Sequence, residues 1–288
     1  MKKTGYELLD CGAGRKLEKF GKVIVDRPAP HAIMKKKMTS EQWYLRNGIF
    51  FRNKGRPSAW YSQNDTLPEE WEMSLDGINI LLKPSTNGQV GIFPEQLPNW
   101  RLLRDTVERS QRYLNILNGF SYTGVANLFA LSAQTQKNIE ITHVDAAKSA
   151  VNWAKKNADN AGFEDKPIRW IVDDILSFME KEKRRKKSYD IIILDPPAYG
   201  RTKNGKEWSL KRDLRHLLEL TRDLLSNDPA LVIISCHDPE IDEKELADML
   251  AQTGLPSNGV ITSEDLDLVS EVGTTLPSGI TANWIKNS

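Results

Sequence analysis

From Leu114 onward, short apolar runs alternate with amphipathic stretches, and this alternation narrows the possible folds more than any other feature of the chain. The apolar runs at 114–118, 139–144, 168–172, 190–194 and 230–235 have strand length. Between them, at about 124–134, 146–160, 174–182, 208–226 and 239–252, apolar residues recur three or four apart, the period of a helix with one buried face. Strands separated by helices pair in parallel, and the helices cover both faces of the sheet. After these come Val260–Ile261, Asp267–Ser270 and Ile280–Ile285, which read as a closing β-hairpin. The expected fold is α/β, a doubly wound and mostly parallel sheet of seven strands.

Ahead of it the pattern is different. Tyr6–Asp10, Lys22–Asp26 and Gln42–Arg52 read as strands punctuated by Gly, Pro and Lys, so residues 1–77 form a small β-rich module. The polar stretch Ser62–Glu70 reads as a linker to a second domain, 78–288, in which Ile78–Lys83 is one more strand. Pro94, suited to a first helical position, opens a helix to about Gln111. Forty basic and thirty-nine acidic residues leave a net charge of +1, which by itself argues against a polyanion partner. The distribution reverses that argument, because residues 1–60 hold fourteen Lys/Arg against five Asp/Glu and residues 223–288 hold two against twelve. Phe20, Trp43, Tyr44, Phe50, Phe51 and Trp60 lie within the basic part, either to stack on bases or as a small core under a basic surface.

Several classes are excluded. Cys11 and Cys236 are too few for a disulfide framework, and four histidines show no zinc-ligand spacing, so no metal is expected. The apolar runs are far shorter than the roughly 20 residues that span a bilayer. Glu7, Asp10, Arg15 and Lys16 interrupt the apolar core that a secretory signal requires, which makes the cytoplasm the expected location.

Ligands of a doubly wound sheet bind at the carboxyl ends of its strands, near the point where strand order reverses. The first strand runs into Asn118-Gly119-Phe120-Ser121-Tyr122-Thr123-Gly124. Bulky Phe120 and Tyr122 stand where a dinucleotide fingerprint needs glycine, which counts against a dehydrogenase. Asp145 ends the second strand, 26 residues beyond Gly119, where a carboxylate can accept both hydroxyls of a ribose or merely cap the next helix. The third strand ends in Asp173-Asp174, and Asp174, at the start of a helix, is placed to accept from an adenine amino group. The fourth ends in Asp195-Pro196-Pro197-Ala198-Tyr199-Gly200, where two prolines remove backbone donors and leave a stiff acceptor cluster beside a carboxylate. Such a cluster suits a planar substrate carrying N–H donors. Arg201, Lys203, Lys206, Lys211, Arg212 and Arg215 follow, against Glu207 and Asp213, a basic loop for phosphates.

Together these segments resemble the class I S-adenosylmethionine-dependent methyltransferases, with their Rossmann-like sheet, and most closely the branch that modifies large-subunit ribosomal RNA at cytosine C5. Asn118–Gly124 is similar to that branch's cofactor loop, Asp195–Gly200 to its D-P-P-x-[FY] motif, and Ser235-Cys236 to its fifth-strand S-C motif. Gly91–Gln96 is similar to a segment near the methionine end of the cofactor. The resemblance covers about residues 78–285 and implies S-adenosylmethionine as cofactor. It would be held by Phe93, Gln96, Asn118, Ser121, Tyr122, Thr123, Gly124, Asp145, Asp174 and Asp195. RNA is the implied substrate, with Pro196, Pro197, Tyr199 and Arg201 against the target.

Carbon 5 of a pyrimidine is a poor nucleophile until a thiolate adds to carbon 6, so Cys236 is the expected nucleophile and Asp195 its partner at ring nitrogen 3. His237 is adjacent in sequence, but successive residues leaving a strand point apart. A small buried hydrophobe is the other reading of Cys236. Transfer to a nitrogen of guanine, to a protein or to a small molecule is the alternative chemistry, and a non-catalytic RNA-binding protein the alternative class.

Overall fold

The computed structural model describes residues 5–52, 57–133, 139–201, 205 and 207–287. The chain divides into two compact units, Met1–Glu95 with Asp267–Ser278, and Gln96–Leu266 with Gly279–Ser288.

The first unit begins with the antiparallel strands β1 (Tyr6–Gly12), β2 (Arg15–Phe20) and β3 (Val23–Pro28), followed by α1 (Ser40–Tyr44), β4 (Gly48–Phe51) and β5 (Ala59–Ser62). These five strands form one sheet in chain order, with β4 parallel to β3. Gln42–Arg52, expected as one strand, is therefore divided between α1 and β4. The Thr39 hydroxyl accepts from the Gln42 amide while the Gln42 side chain accepts from the Thr39 amide, a capping box that starts a helix where residue type alone suggested a strand. β6 (Trp71–Leu75) and β7 (Ile78–Leu82) form a hairpin whose two turn residues, Asp76 and Gly77, both have positive φ (50° and 86°), the geometry that suits the twist of paired strands. A domain boundary at 77/78 would cut this turn between hydrogen-bonded strands. The compact units divide instead at Glu95/Gln96.

A single 3-10 turn (Pro94–Gln96) precedes α2 (Leu97–Arg109), the first helix of the second unit. Then come β8 (Leu114–Gly119), α3 (Val125–Leu131), β9 (Ile139–Asp145), α4 (Lys148–Asn160), β10 (Ile168–Val172), α5 (Ile175–Arg184) and β11 (Ile191–Leu194). The short pair β12 (Tyr199–Arg201) and β13 (Glu207–Ser209) precedes α6 (Leu210–Asp223), β14 (Leu231–Cys236), α7 (Glu243–Ala251) and β15 (Gly259–Asp265). After β16 (Leu268–Val269) and β17 (Thr275–Leu276), which belong to the first unit, β18 (Ile280–Lys286) returns to the second.

Seven strands form the main sheet in the order β10-β9-β8-β11-β14-β18-β15, and β18 alone runs against its neighbours. The closing hairpin is thus β15 with β18. Asp267–Ser270 is not part of it, since the chain leaves the sheet there and the Glu271 amide donates to the Leu8 carbonyl at 2.9 Å. Every residue of β11 and β14 is buried, as expected of parallel strands covered on both faces. On α6, Leu210, Leu214, Leu217 and Leu218 recur three or four apart and pack into the same apolar cluster as Ile192, Val232 and Ile234. Burying each such leucine contributes roughly 1.5–3 kcal/mol. Strand order reverses between β8 and β11, so the loops leaving those strands open the crevice where a ligand binds.

Candidate active site

Beyond β8 the backbone takes left-handed φ at Phe120 (54°), Tyr122 (48°) and Gly124 (76°), which coils the segment tightly. Left-handed backbone costs a side-chain-bearing residue roughly 1–2 kcal/mol, so surrounding bonds must hold it. The Tyr122 amide donates to Asp145 Oδ2 at 2.9 Å, the Ser121 hydroxyl accepts from the Val144 amide at 3.2 Å and donates to the Asn118 carbonyl, and the Phe120 ring packs on Trp208 at 5.0 Å. Gly119 is required by close approach. A Cβ there would lie 2.6 Å from both Ile175 Cδ1 and Leu194 Cδ2.

Beneath this loop runs a buried polar chain. Asn118 Nδ2 donates to Asn127 Oδ1 at 2.8 Å, and Asn127 Nδ2 meets His143 Nδ1 at 2.9 Å. Burial pushes the His143 pKa down to about 3, so its imidazole is neutral and Nδ1 accepts. Thr123 is buried as well, and its carbonyl accepts from Asn157 Nδ2 at 3.0 Å.

Asn118, Ser121, Tyr122 and Asp145 are thus brought into one hydrogen-bonded group. Asp145 Oδ1 also accepts from the Ala147 amide at 2.8 Å, so the carboxylate is aimed by two backbone donors. Burial raises its pKa above the ordinary aspartate value, against those two bonds. A carboxylate has about four acceptor positions, which leaves capacity for a ribose diol. Asp174 caps α5, its Oδ1 accepting from the Ser177 amide (3.0 Å) and hydroxyl (2.9 Å). Asp173 is drawn to Lys181 at 2.6 Å. Of the two, Asp174 remains the better candidate for an adenine contact.

A second group gathers at the ends of β11 and β14. Asp195 Oδ1 accepts from Gln96 Nε2 at 3.1 Å and faces His237 Nε2 at 2.8 Å. Gln96 Oε1 in turn accepts from Asn99 Nδ2 (2.7 Å) and from the Ser235 hydroxyl (3.2 Å), and the Thr281 hydroxyl bonds Asn99 Oδ1 at 3.1 Å. Gly279 backs the histidine, for a Cβ there would lie 2.6 Å from His237 Nδ1 and 2.9 Å from the Cys236 carbonyl oxygen. Strand alternation explains this grouping. Ser235 and His237 project to one side, toward Gln96 and Asp195, while Cys236 between them projects to the other.

Cys236, expected as a nucleophile, is 1% exposed and packs in the apolar cluster with Leu246 and Ile280. Burial, together with nearby Asp238, Glu245 and Asp195, pushes its thiol pKa up, which works against a thiolate. His237, which adjacency had linked to Cys236, pairs with Asp195 instead.

Pro196 is buried, and the Pro197 carbonyl is taken by Trp208 Nε1 at 2.6 Å, so one of the carbonyls expected to face a substrate already has a partner. Tyr199 is 58% exposed at the start of β12. Phe93 belongs to the first unit, where it lines a cleft. The side chain of Arg201, and Lys203 and Lys206 entirely, lie outside the described residues. Lys211 pairs with Glu240 and Arg212 with Asp213, which offsets part of the expected local charge. Among the described residues no group of His, Cys, Asp or Glu is disposed to hold a metal, and no helix is long and apolar enough to cross a membrane. Sequence reading passed over Asn99, Asn127, Trp208 and Thr281; only the alternation at 235–237 offered a local signal.

Half-buried carboxylates thus stand at the β9 and β10 ends, and a polar cluster at the end of β11. Residues 46–261 match the family model of the S-adenosylmethionine-dependent methyltransferases. Ribosomal RNA large subunit methyltransferase I of Aeromonas salmonicida is 24% identical over 246 residues, which cover 82% of this chain and 59% of that protein. Ribosomal RNA large subunit methyltransferase K/L of Syntrophotalea carbinolica is 24% identical over 182 residues, 63% of this chain and 24% of that protein. The chain therefore spans less than two thirds of either relative's length. The crystal structure of an S-adenosylmethionine-dependent methyltransferase from Agrobacterium tumefaciens superposes with a TM-score of 0.91 at 34% identity, covering 98% of this chain and 91% of the other. The chain belongs to the S-adenosylmethionine-dependent methyltransferases.

Proposed function

We propose that this protein methylates a base of ribosomal RNA, and that the target atom is a nitrogen received by Asp195 and His237. The observation that carries this reading is the Asp195 carboxylate at the end of β11, held between Gln96 and His237 and followed by two prolines. When bound, the cofactor supplies an electrophilic methyl group. The chain supplies the rest. Asp145 and Asp174 hold the two ends of the adenosine, and the left-handed loop 120–124 fixes the backbone between them. Asp195 accepts a hydrogen bond from the amino or ring N–H of the base, aligns its lone pair, and with His237 takes the proton released as the nitrogen–carbon bond forms. Tyr199, exposed beside the prolines, offers a face on which a flipped base stacks. RNA as substrate is supported by the names of the two curated relatives and by the excess of cations in residues 1–60.

Transfer to carbon 5 of cytosine is the second reading, favoured by the position of Cys236 between Ser235 and His237 at the end of β14. It requires the buried thiol to swing out of its cluster and ionise.

Nucleoside mass spectrometry on RNA from a strain lacking the protein tests both. One methylated base is expected to disappear and to return with the wild-type gene. Asp195→Asn should fail to restore it, and Cys236→Ala should restore it fully. A product methylated on carbon 5, lost with Cys236→Ala, would replace the nitrogen reading by the second.

A further inference from the structure

The first unit contains an open cleft of about 160 Å³. Its lining includes Phe93, Pro28, Pro277 and the buried Phe50. Lys16, Arg27, His31 and Arg52 line it as well, with Glu95 as the acidic member. The cations differ in how far they are committed. Lys16 lies 3.1 Å from the buried carboxylate of Glu18, which Arg27 also engages at 2.7 Å. The exposed side chains of His31 and Arg52 have no ion pair or side-chain hydrogen bond among the described residues, whereas in the same unit Arg15 is bonded to Asp26 and Lys19 to Glu7.

We propose that this cleft binds one nucleotide of single-stranded RNA, the base against Phe93 and the two prolines and its phosphate at Arg52 and His31. The proposal rests on the RNA reading above and assigns a second binding point to the same substrate. The apolar lining of Phe93, Pro28 and Pro277 suits a base, which presents a π face whatever its identity, and the two uncommitted basic groups suit a phosphate. An unpaired strand is required because a stacked, paired base cannot splay into a slot. An acidic peptide would satisfy the cations but leave the apolar lining unused.

Fluorescence anisotropy with the full chain and a labelled ten-nucleotide single-stranded RNA tests this. Arg52→Glu with His31→Glu should raise Kd at least tenfold and make the salt dependence shallower by about 0.7 in log–log slope for each phosphate no longer neutralised. Wild-type protein that binds this RNA, with the double variant matching it in Kd and slope, would overturn the cleft and leave the RNA reading standing. No affinity of the wild type at low salt would overturn both. Tighter binding of a polyglutamate peptide than of the RNA, abolished in the double variant, would assign the cleft to an acidic protein and overturn the proposal. Since a variant can misfold, wild-type protein crosslinked to 4-thiouridine RNA gives an independent measure. Crosslinks are expected on peptides holding Pro28–His31 or Phe93, and crosslinks confined to other segments would overturn the assignment.

Discussion

Asp145 and Asp174 act through different local chemistry although each is a carboxylate at a strand end. Asp145 is half-buried and aimed by two amides, and its desolvation lifts its pKa above the ordinary aspartate value. Asp174 is a helix cap whose Oδ1 is already engaged by Ser177. Replacing either by Ala should weaken S-adenosylmethionine binding by about tenfold or more in calorimetry, because a hydrogen bond to a charged group contributes roughly 1.5–3 kcal/mol. Acid should weaken binding too. The proposed ribose contact would use the carboxylate, so affinity should fall as pH drops through the raised Asp145 pKa, earlier than an unperturbed aspartate would titrate, and Asp145→Asn should lack that step.

His237 depends on a neighbour that carries no functional group. A methyl at Gly279 would occupy the position of the imidazole and crowd the Cys236 carbonyl, at a φ of 139° that favours glycine. Gly279→Ala should therefore lower kcat for methyl transfer by about tenfold or more with cofactor affinity unchanged. A variant with normal kcat would show that His237 does not need its seat against Asp195.

At the scale of elements, the joint between β8, α3 and β9 is held by the chain Asn118, Asn127 and His143. His143 is neutral in the fold with its pKa pushed to about 3, and an unfolded histidine titrates near 6.5. The unfolded state thus binds a proton that the folded state refuses. Stability contributed here is complete above pH 6.5 and is lost as pH falls from there toward 3, with a slope approaching about 1.4 kcal/mol per pH unit. Urea unfolding of wild type and His143→Gln across pH 7 to 4 measures it. The glutamine keeps an acceptor for Asn127 and removes the titration, so the two stability curves should diverge as acid is added; parallel curves would refute the account.

For the molecule as a whole, net charge is close to zero while charge along the chain is strongly uneven. RNA association should therefore be driven by the basic segment and not by bulk attraction. Raising salt from 50 to 200 mM is expected to weaken binding of a ribosomal RNA fragment steeply, by tenfold or more if several phosphates are neutralised. Binding indifferent to salt would mean that the cations of residues 1–60 do not face the nucleic acid.

Much of this protein could be read from its residues because the signals were local. Apolar runs bounded by helical periods placed α3 to α7 and the parallel strands between them, and carboxylates and prolines at strand ends marked Asp145, Asp174 and Asp195. The helix α1 was missed because its capping box outweighs the strand character of Trp43 and Tyr44, and the excursion at 267–278 because apolar alternation does not say which sheet a strand joins. Side-chain direction lay further still from the sequence. Cys236 and His237 are neighbours, and only the pleat of β14 and the register with β18 decide that the histidine reaches Asp195 while the cysteine enters the core. Partners such as Gln96 and Asp195 are 99 residues apart. Their meeting follows from chain topology, a long-range property that no local run of residues encodes.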